Sequence, residues 1–322
     1  MIPIVDVAPL VRGSGDHARV AQEIGHACRE YGFFYVVGHG VDDSLVKNLE
    51  HASREFFDQP LPAKLDIAMS RGGKAWRGYF PVGGELTSGK PDQKEGIYFG
   101  TELSSDHPRV RAGTPMHGPN LFPAHPPELR TLVLAYMDAL TRLGHALVAG
   151  LSLSLGLEAS YFASRYTANP LILFRIFNYP PVQAEDDLYG VGEHTDYGLL
   201  TILKQDMSGG LEIKMGSEWI DAPPLEHSFV CNLGDMLDRM TGGRYLSTPH
   251  RVRNPAQHDR ISFAFFFDPD FEAVVEPIIG VARDNKAERW DHASVHEFQG
   301  TYGDYLLGKV SKVFPQLRRE VL

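Results

Sequence analysis

"GVGEHTDYGLLTILKQD", residues 190–206, is the stretch that decides the fold, because a histidine and an aspartate stand one residue apart in it, between glycines and an apolar run. Residues i and i+2 of an extended backbone share a face, so His194 and Asp196 are expected to point the same way. The alternative to a metal site is that the two residues only form a polar turn before a buried strand. We interpret "LLTILKQD" as the strand that carries the pair into the interior. Lys204 lies either on the same face or at an edge exposed to solvent.

A third candidate ligand supports a metal site. His250, in "STPHRVRN", falls in a later predicted strand. Two imidazoles and one carboxylate form the facial arrangement typical of non-heme iron(II) oxygenases, which leaves coordination positions open for other ligands. His194, Asp196 and His250 are therefore candidate ligands of a single metal ion.

The stretch "RISFAFFFD" begins ten residues after this histidine. Alternation places Arg260, Ser262, Ala264 and Phe266 on one face of the strand. A guanidinium fork and a hydroxyl on one face suit a carboxylate held at the floor of a pocket. The alternative is an arginine at the exposed start of a strand.

Composition limits the class of protein. The chain has 322 residues, 43% of them hydrophobic, which suits one or two globular domains. Its formal net charge of −10 argues against a nucleic-acid partner. Cys28 and Cys231 lie in apolar surroundings and are predicted to be buried thiols in a reducing compartment. We find no signal peptide and no apolar run of about 20 residues, so the prediction is a cytoplasmic protein without a membrane partner.

The order of patterns predicts a single unit, 1–322, with three segments. Residues 1–165 alternate strand and helix patterns, turn loop-rich between 64 and 121, and end in a long helix over 128–156. Residues 166–290 carry short strands separated by turn residues, as in a jelly roll. Residues 291–322 contain a closing helix. The predicted strands of the core are "LILFRIFNY", "LLTILKQD", "GLEIKMG", "EWIDAPP", "HSFVCNLG", "TPHRVRN", "RISFAFFFDPD" and "AVVEPI".

Several ordered motifs make the chain resemble the isopenicillin N synthase-like branch of the iron(II)- and 2-oxoglutarate-dependent dioxygenases. They are "IPIVDV", "GFFYVVGHG", "RGYFP", "FNYPP", "HTDYGLLTILKQD", "FVCNLGDMLDRMTGGRY", "STPHRV" and "RISFAFF". The resemblance implies a double-stranded β-helix, or jelly roll, that is mainly β with flanking helices. It also implies that His194, Asp196 and His250 bind iron(II).

The same resemblance assigns the cosubstrate. Arg260 and Ser262 would bind the distal carboxylate of 2-oxoglutarate, with Tyr179 in reach. Many plant members read Asn-Tyr-Tyr-Pro where this chain reads Phe177-Asn178-Tyr179-Pro180, so the contact that the asparagine makes is in question here. The implied reaction consumes O2, releases succinate and CO2, and oxidises a small molecule by hydroxylation, desaturation or ring closure.

Candidate contacts to that substrate come from strand parity and from position in the chain. Phe266 and Arg175 are expected in the pocket, with Trp76 and Tyr79 contributing from the segment "KAWRGYFPVGGE" and the closing helix acting as a lid. Each residue also has a purely structural alternative. The aromatic residues could simply pack in the core, and the arginine could form an ion pair. The sequence does not fix the oligomeric state, and a monomer fits it.

Two alternatives remain open. The first is an iron-dependent oxidase of the same fold that uses no 2-oxoglutarate, with Arg260 and Ser262 binding the carboxylate of the substrate itself. The second is a non-catalytic jelly-roll binding module.

Overall fold

The computed structural model describes residues 1–87, 89–181, 189–254, 257–278 and 295–315. The elements before residue 130 are mostly short. The strands are β1 Ile4–Asp6, β2 Phe33–Val37, β3 Gly78–Phe80, β4 Leu86–Thr87, β5 Lys90–Pro91 and β6 Glu95–Gly100. The helices are α1 Ala8–Arg12, α2 His17–Glu30, α3 Asp43–Phe57, α4 Leu61–Lys64 and α5 Pro108–Arg111.

The chain from residue 129 onward is rich in strands. Its strands are β7 Leu171–Tyr179, β8 Val191–His194, β9 Leu200–Gln205, β10 Leu211–Met215, β11 Glu218–Asp221, β12 Phe229–Leu233, β13 His250–Val252 and β14 Arg260–Asp268. Its helices are α6 Leu129–Ser154, α7 Tyr161–Arg165, α8 Asp235–Thr241 and α9 Tyr302–Val313.

Two sheets form the core, as in a double-stranded β-helix. The larger sheet has the order β1-β2-β12-β9-β14-β7-β6-β3, and the smaller has the order β11-β10-β13-β8. In the larger sheet β14 pairs antiparallel with both β7 and β9. The predicted fold class, mainly β with a jelly-roll core and flanking helices, is confirmed.

The N-terminal segment is built into this core. Strands β1, β2, β3 and β6 extend the larger sheet on both sides of the strands from the second half. The boundary predicted at residue 165 therefore runs through one continuous sheet. The boundary predicted at 290 lies outside the described residues, and the division into segments stays a prediction.

Helix α6 supports the larger sheet. It contacts α2, α3 and β14, and its buried side chains include Tyr136, Leu140 and Leu147. By length and composition alone it is apolar enough to cross a membrane, which differs from the expectation that no run approaches that length. Burial of one face against other elements of the chain accounts for its apolar character.

Three local predictions were wrong. Residues 273–278, "AVVEPI", form no strand and make only an isolated bridge at Val274. Strand β3 lies between residues 64 and 121, a region that was predicted to be loop-rich. His194 ends β8 in the smaller sheet, and the chain turns before β9 begins at Leu200. "LLTILKQD" therefore follows the histidine and aspartate but does not carry them.

Candidate active site

Two histidines lie side by side in the smaller sheet. His194 ends β8, His250 begins β13, and the two are register partners in an antiparallel pair. Their ring centroids are 4.2 Å apart. The ring of Phe33 from β2 meets His250 edge-on at 5.2 Å. Pairing of the strands thus brings together two residues that are far apart in the chain.

Hydrogen bonds fix both rings in the same way. Nδ1 of His194 lies 2.8 Å from the carbonyl oxygen of Gly192, and Nδ1 of His250 lies 3.2 Å from that of Thr248. A carbonyl only accepts, so Nδ1 carries the proton in each ring and Nε2 keeps its lone pair. Both Nε2 atoms are therefore available to a metal ion.

Asp196 completes the group from the turn after β8. Its Oδ1 lies 3.9 Å from Nε2 of each histidine, and one ligand atom from each of the three residues falls within 4.8 Å of the others. Its Oδ2 accepts hydrogen bonds from Thr201 at 2.5 Å and from Asn232 at 2.7 Å. The carboxylate is thus oriented so that Oδ1 faces the imidazoles.

The protonation states suit a cation. Burial lowers the pKa of His250 to about 4, with the neighbouring His194 acting in the same direction. Burial also lowers the pKa of His194. For Asp196 burial acts to raise the pKa, but His250, His194 and the two hydrogen bonds outweigh it and hold the pKa below its usual value. Neutral imidazoles next to an ionised carboxylate form the donor set that a divalent transition metal takes.

The two sheets enclose a cavity of about 420 Å³. Its lining includes Phe177, Tyr179, His194, His250, Arg260 and Ser262. Arg260 is fully buried at the start of β14. Its Nε donates to the Gly209 carbonyl at 2.6 Å and its Nη2 to Gln205 Oε1 at 3.3 Å. Among the described residues its Nη1 has no hydrogen-bond partner.

Two hydroxyls lie beside this guanidinium. Tyr179 is the register partner of Arg260, and its ring centroid lies 4.7 Å from the guanidinium carbon. Its hydroxyl lies 3.3 Å from Ser262 Oγ. A buried donor without a partner is costly, so an anion that accepts from Nη1 and from these hydroxyls fits the site.

The other predicted pocket residues differ in outcome. Phe266 and Arg175 line the cavity, as do residues of α9. The alternative for Arg260 was the exposed start of a strand, and the alternative for Arg175 was an ion pair at the surface. Neither matches the structure, because both side chains are buried. Asn178 points elsewhere, because its amide donates to Glu95 and Asp259, at 3.1 and 2.8 Å.

The prediction for Trp76 and Tyr79 is not supported by their positions. Neither is among the residues that line the cavity. The hydroxyl of Tyr79 donates to Glu95 at 2.5 Å, and Trp76 is 1% exposed with its ring edge-on to Phe314. Both are core residues. Tyr79 belongs to β3, which is buried along its whole length, and Trp76 is buried just before that strand.

Sequence reasoning missed the residues that orient the site. Thr201 and Asn232 fix Asp196, and Gln205 fixes Arg260. Alternation along β9 places Thr201, Leu203 and Gln205 on the inner face, so Lys204 lies on the opposite face. The signal in the sequence was a polar residue within a mostly apolar strand, as with Thr201 and Gln205 in β9 and Asn232 in β12.

A jelly-roll cavity with two imidazoles, one carboxylate and a buried arginine beside them has the features of a non-heme iron(II) oxygenase. Residues 162–269 match the 2OG-Fe(II) oxygenase superfamily, and residues 2–125 match the N-terminal region of a non-haem dioxygenase in morphine synthesis. The chain belongs to the 2OG-Fe(II) oxygenase superfamily.

Relatives match along the whole chain. A probable iron/ascorbate oxidoreductase of Dictyostelium discoideum is 48% identical, covering 100% of this chain and 97% of its own length. A 1-aminocyclopropane-1-carboxylate oxidase of the same organism is 38% identical, covering 98% and 95%. An Arabidopsis thaliana homoarginine-6-hydroxylase is 36% identical, covering 98% and 90%.

A solved structure agrees. A full-length Neurospora crassa protein, crystallised in complex with alpha-KG, superposes with a TM-score of 0.80 at 27% identity, covering 96% of this chain and 95% of that one. The protein is therefore an oxygenase that requires iron(II), 2-oxoglutarate and O2 and oxidises a small molecule with release of succinate and CO2. The predicted family, fold, class of function and cofactors are confirmed.

Proposed function

We propose that His194, Asp196 and His250 bind the iron(II), through the two Nε2 atoms and Oδ1. The observation that carries this proposal is the set of three converging ligand atoms, each left available because the other polar atom of its side chain is already hydrogen-bonded. The facial arrangement of three protein ligands leaves the remaining positions to the cosubstrate and O2.

Arg260, Ser262 and Tyr179 bind the distal carboxylate of 2-oxoglutarate. The unpartnered Nη1 of Arg260 and the two neighbouring hydroxyls support this role. Gln205 and the Gly209 carbonyl fix the guanidinium before the cosubstrate arrives, so little side-chain entropy is lost on binding.

The bound iron, cosubstrate and O2 together supply the oxidising chemistry, and the chain supplies position and exclusion of water. Asn232 and Thr201 keep the Asp196 carboxylate in one orientation. Tyr302 and Leu306 of α9 line the cavity from outside the sheets. We propose that this helix covers the substrate, as the sequence predicted.

The prime substrate is an amino acid or a close derivative. Support comes from two relatives named for such compounds, homoarginine and 1-aminocyclopropane-1-carboxylate. We further propose that the protein is a cytoplasmic monomer of the isopenicillin N synthase-like branch with no nucleic-acid or membrane partner. The buried thiols of Cys28 and Cys231 are compatible with a reducing compartment.

Isothermal titration of 2-oxoglutarate into the anaerobic iron(II) protein tests the proposed roles. We expect one cosubstrate per chain, binding that requires iron, and succinate formation once O2 is admitted. Because one relative is named for iron and ascorbate, a parallel reaction contains ascorbate without 2-oxoglutarate. Oxygen consumption that ignores 2-oxoglutarate would contradict the proposal and favour the oxidase alternative.

A further inference from the structure

A second arginine faces the cavity, away from the one beside Tyr179. Arg175 lies on β7 opposite Ala264 of β14, whereas Tyr179 lies opposite Arg260. Four residues along a strand correspond to about 13 Å. The backbone of Arg175 is thus well separated from the proposed carboxylate site of 2-oxoglutarate.

Arg175 is rigidly placed but poorly paired. Its guanidinium carbon lies 4.2 Å from the ring centroid of Tyr98 and 4.7 Å from that of Phe266. The ion pair from its Nη1 to Glu85 Oε1 is long, at 3.8 Å. Among the described residues its buried Nε has no acceptor. Two aromatic faces therefore fix a cation whose donors are largely unused.

Glu85 also lines the cavity, next to Arg175. Its Oε1 accepts a hydrogen bond from Tyr98 at 2.6 Å, and Lys94 Nζ lies 3.0 Å from its Oε2. Lys94 is in turn 2.7 Å from Asp92. A carboxylate has about four acceptor sites, so Glu85 can still accept from a ligand.

These four side chains form a balanced group, here called the charge cluster: Glu85, Asp92, Lys94 and Arg175. Two acids and two bases cancel, and the group is almost entirely buried. A head group with a single net charge, placed in this cluster, would leave that charge uncompensated in a buried site, which is costly. A zwitterion adds no net charge.

The long Arg175–Glu85 pair matches such a head group. An ammonium and a carboxylate on one carbon can pair with Glu85 and Arg175 respectively, and two short charge-assisted contacts then replace one long one. The guanidinium fork suits the carboxylate because it can donate two hydrogen bonds in one plane.

We propose that the charge cluster is the recognition site for the α-amino acid head group of the substrate, with Arg175 binding the carboxylate and Glu85 binding the ammonium. This inference rests on the proposed function, because it takes the cavity to be the substrate site. The side chain of the amino acid then extends along the cavity towards His194 and His250.

The test compares head-group derivatives on the wild-type protein. The twenty standard L-amino acids, L-homoarginine and 1-aminocyclopropane-1-carboxylate are titrated calorimetrically into the anaerobic protein loaded with iron(II) and 2-oxoglutarate. The tightest binder is compared with its N-acetyl and carboxamide derivatives. We expect each derivative to bind about ten- to a hundred-fold more weakly, as loss of one charge-assisted contact requires.

Variants assign the two contacts. Arg175→Gln should weaken the free amino acid about ten-fold or more but leave its carboxamide nearly unchanged, and Glu85→Gln should do the same with the N-acetyl derivative as the insensitive ligand. Matched controls are Arg142→Gln and Glu23→Gln, whose side chains are 69% and 40% exposed. Both should bind every ligand as the wild type does.

The outcomes separate the two proposals. Loss of iron or 2-oxoglutarate binding in the wild type contradicts the proposed function. Normal binding of both, with no amino acid bound or with derivatives bound as tightly as the parent, overturns the charge-cluster inference alone. If a variant fails to fold, the derivative series on the wild type decides the question without it.

Discussion

His194 and His250 each have Nδ1 within hydrogen-bonding distance of the carbonyl oxygen two residues earlier in the chain, and they face each other across the β8–β13 pair. The same local geometry thus leaves the Nε2 lone pair of both histidines available to a metal ion. Asp196 Oδ1 is equidistant from them at 3.9 Å. Hydrogen bonds from the chain itself orient all three side chains, to backbone carbonyls for the two histidines and from Thr201 and Asn232 for Asp196.

Removing the guanidinium of Arg260 should raise the requirement for 2-oxoglutarate. Arg260→Gln loses a charge-assisted contact, so we expect the apparent Kd to rise about ten- to a hundred-fold with iron binding unchanged. Calorimetric titration of 2-oxoglutarate measures this, with Arg142→Gln as the exposed control. An unchanged Kd would assign Arg260 to another role.

Asn232 should affect iron through Asp196. Asn232→Ala removes one of the two hydrogen bonds to Oδ2, and loss of such an outer contact typically weakens metal affinity about 10- to 100-fold. Anaerobic competition of the protein with a chelator for iron(II) measures the affinity. Asn48→Ala, at an exposed position of α3, should change nothing, and equal affinity in both variants would refute the role of Asn232.

Core and cavity phenylalanines should differ in their contribution to stability. Phe174 is fully buried against Tyr136 and Phe263, so Phe174→Ala should lower the free energy of unfolding by about 3–5 kcal/mol. Phe266 borders the cavity, and Phe266→Ala should cost clearly less. Urea unfolding compares the two, and equal losses would mean that Phe266 belongs to the packed core.

The first turn of α9 can be tested separately. Thr301 and Asp304 form a capping box, in which each side chain accepts from the backbone amide of the other. Thr301→Ala should lower stability by about 1 kcal/mol. Because Tyr302 and Leu306 line the cavity, we also expect weaker retention of the substrate. A substrate Kd equal to that of the wild type would indicate that α9 does not cover the site.

Strict alternation along β14 was predictable from the sequence. Arg260, Ser262, Ala264 and Phe266 share one face of this strand and all line the cavity, because nothing interrupts the strand. Alternation failed across residues 197–199, where the chain turns and the parity changes. Lys204 was therefore grouped with His194, although the inward residues of β9 are odd-numbered.

Contacts between residues far apart in the chain could not be predicted from local sequence patterns. The approach of Glu85 to Arg175 depends on where the β4–β5 hairpin packs, which is against β8 of the smaller sheet and α9. No periodicity in the sequence encodes that position. Trp76 and Tyr79 were placed in the pocket from their position in the chain alone, but both are buried in the core, Tyr79 within β3 and Trp76 just before it. The resemblance to a known family supplied the ligand set, while the structure supplied the residues that orient it.

The most direct test of the metal site is the amount of iron(II) bound under anaerobic conditions by the wild type, Asp196→Ala, His250→Ala and the exposed control His51→Ala, whose side chain is 76% exposed. Circular dichroism checks that each variant is folded. We expect one iron per chain for the wild type and His51→Ala, and none for folded Asp196→Ala or His250→Ala. Iron retained at wild-type affinity by either of these two variants would contradict the assignment of the three ligands.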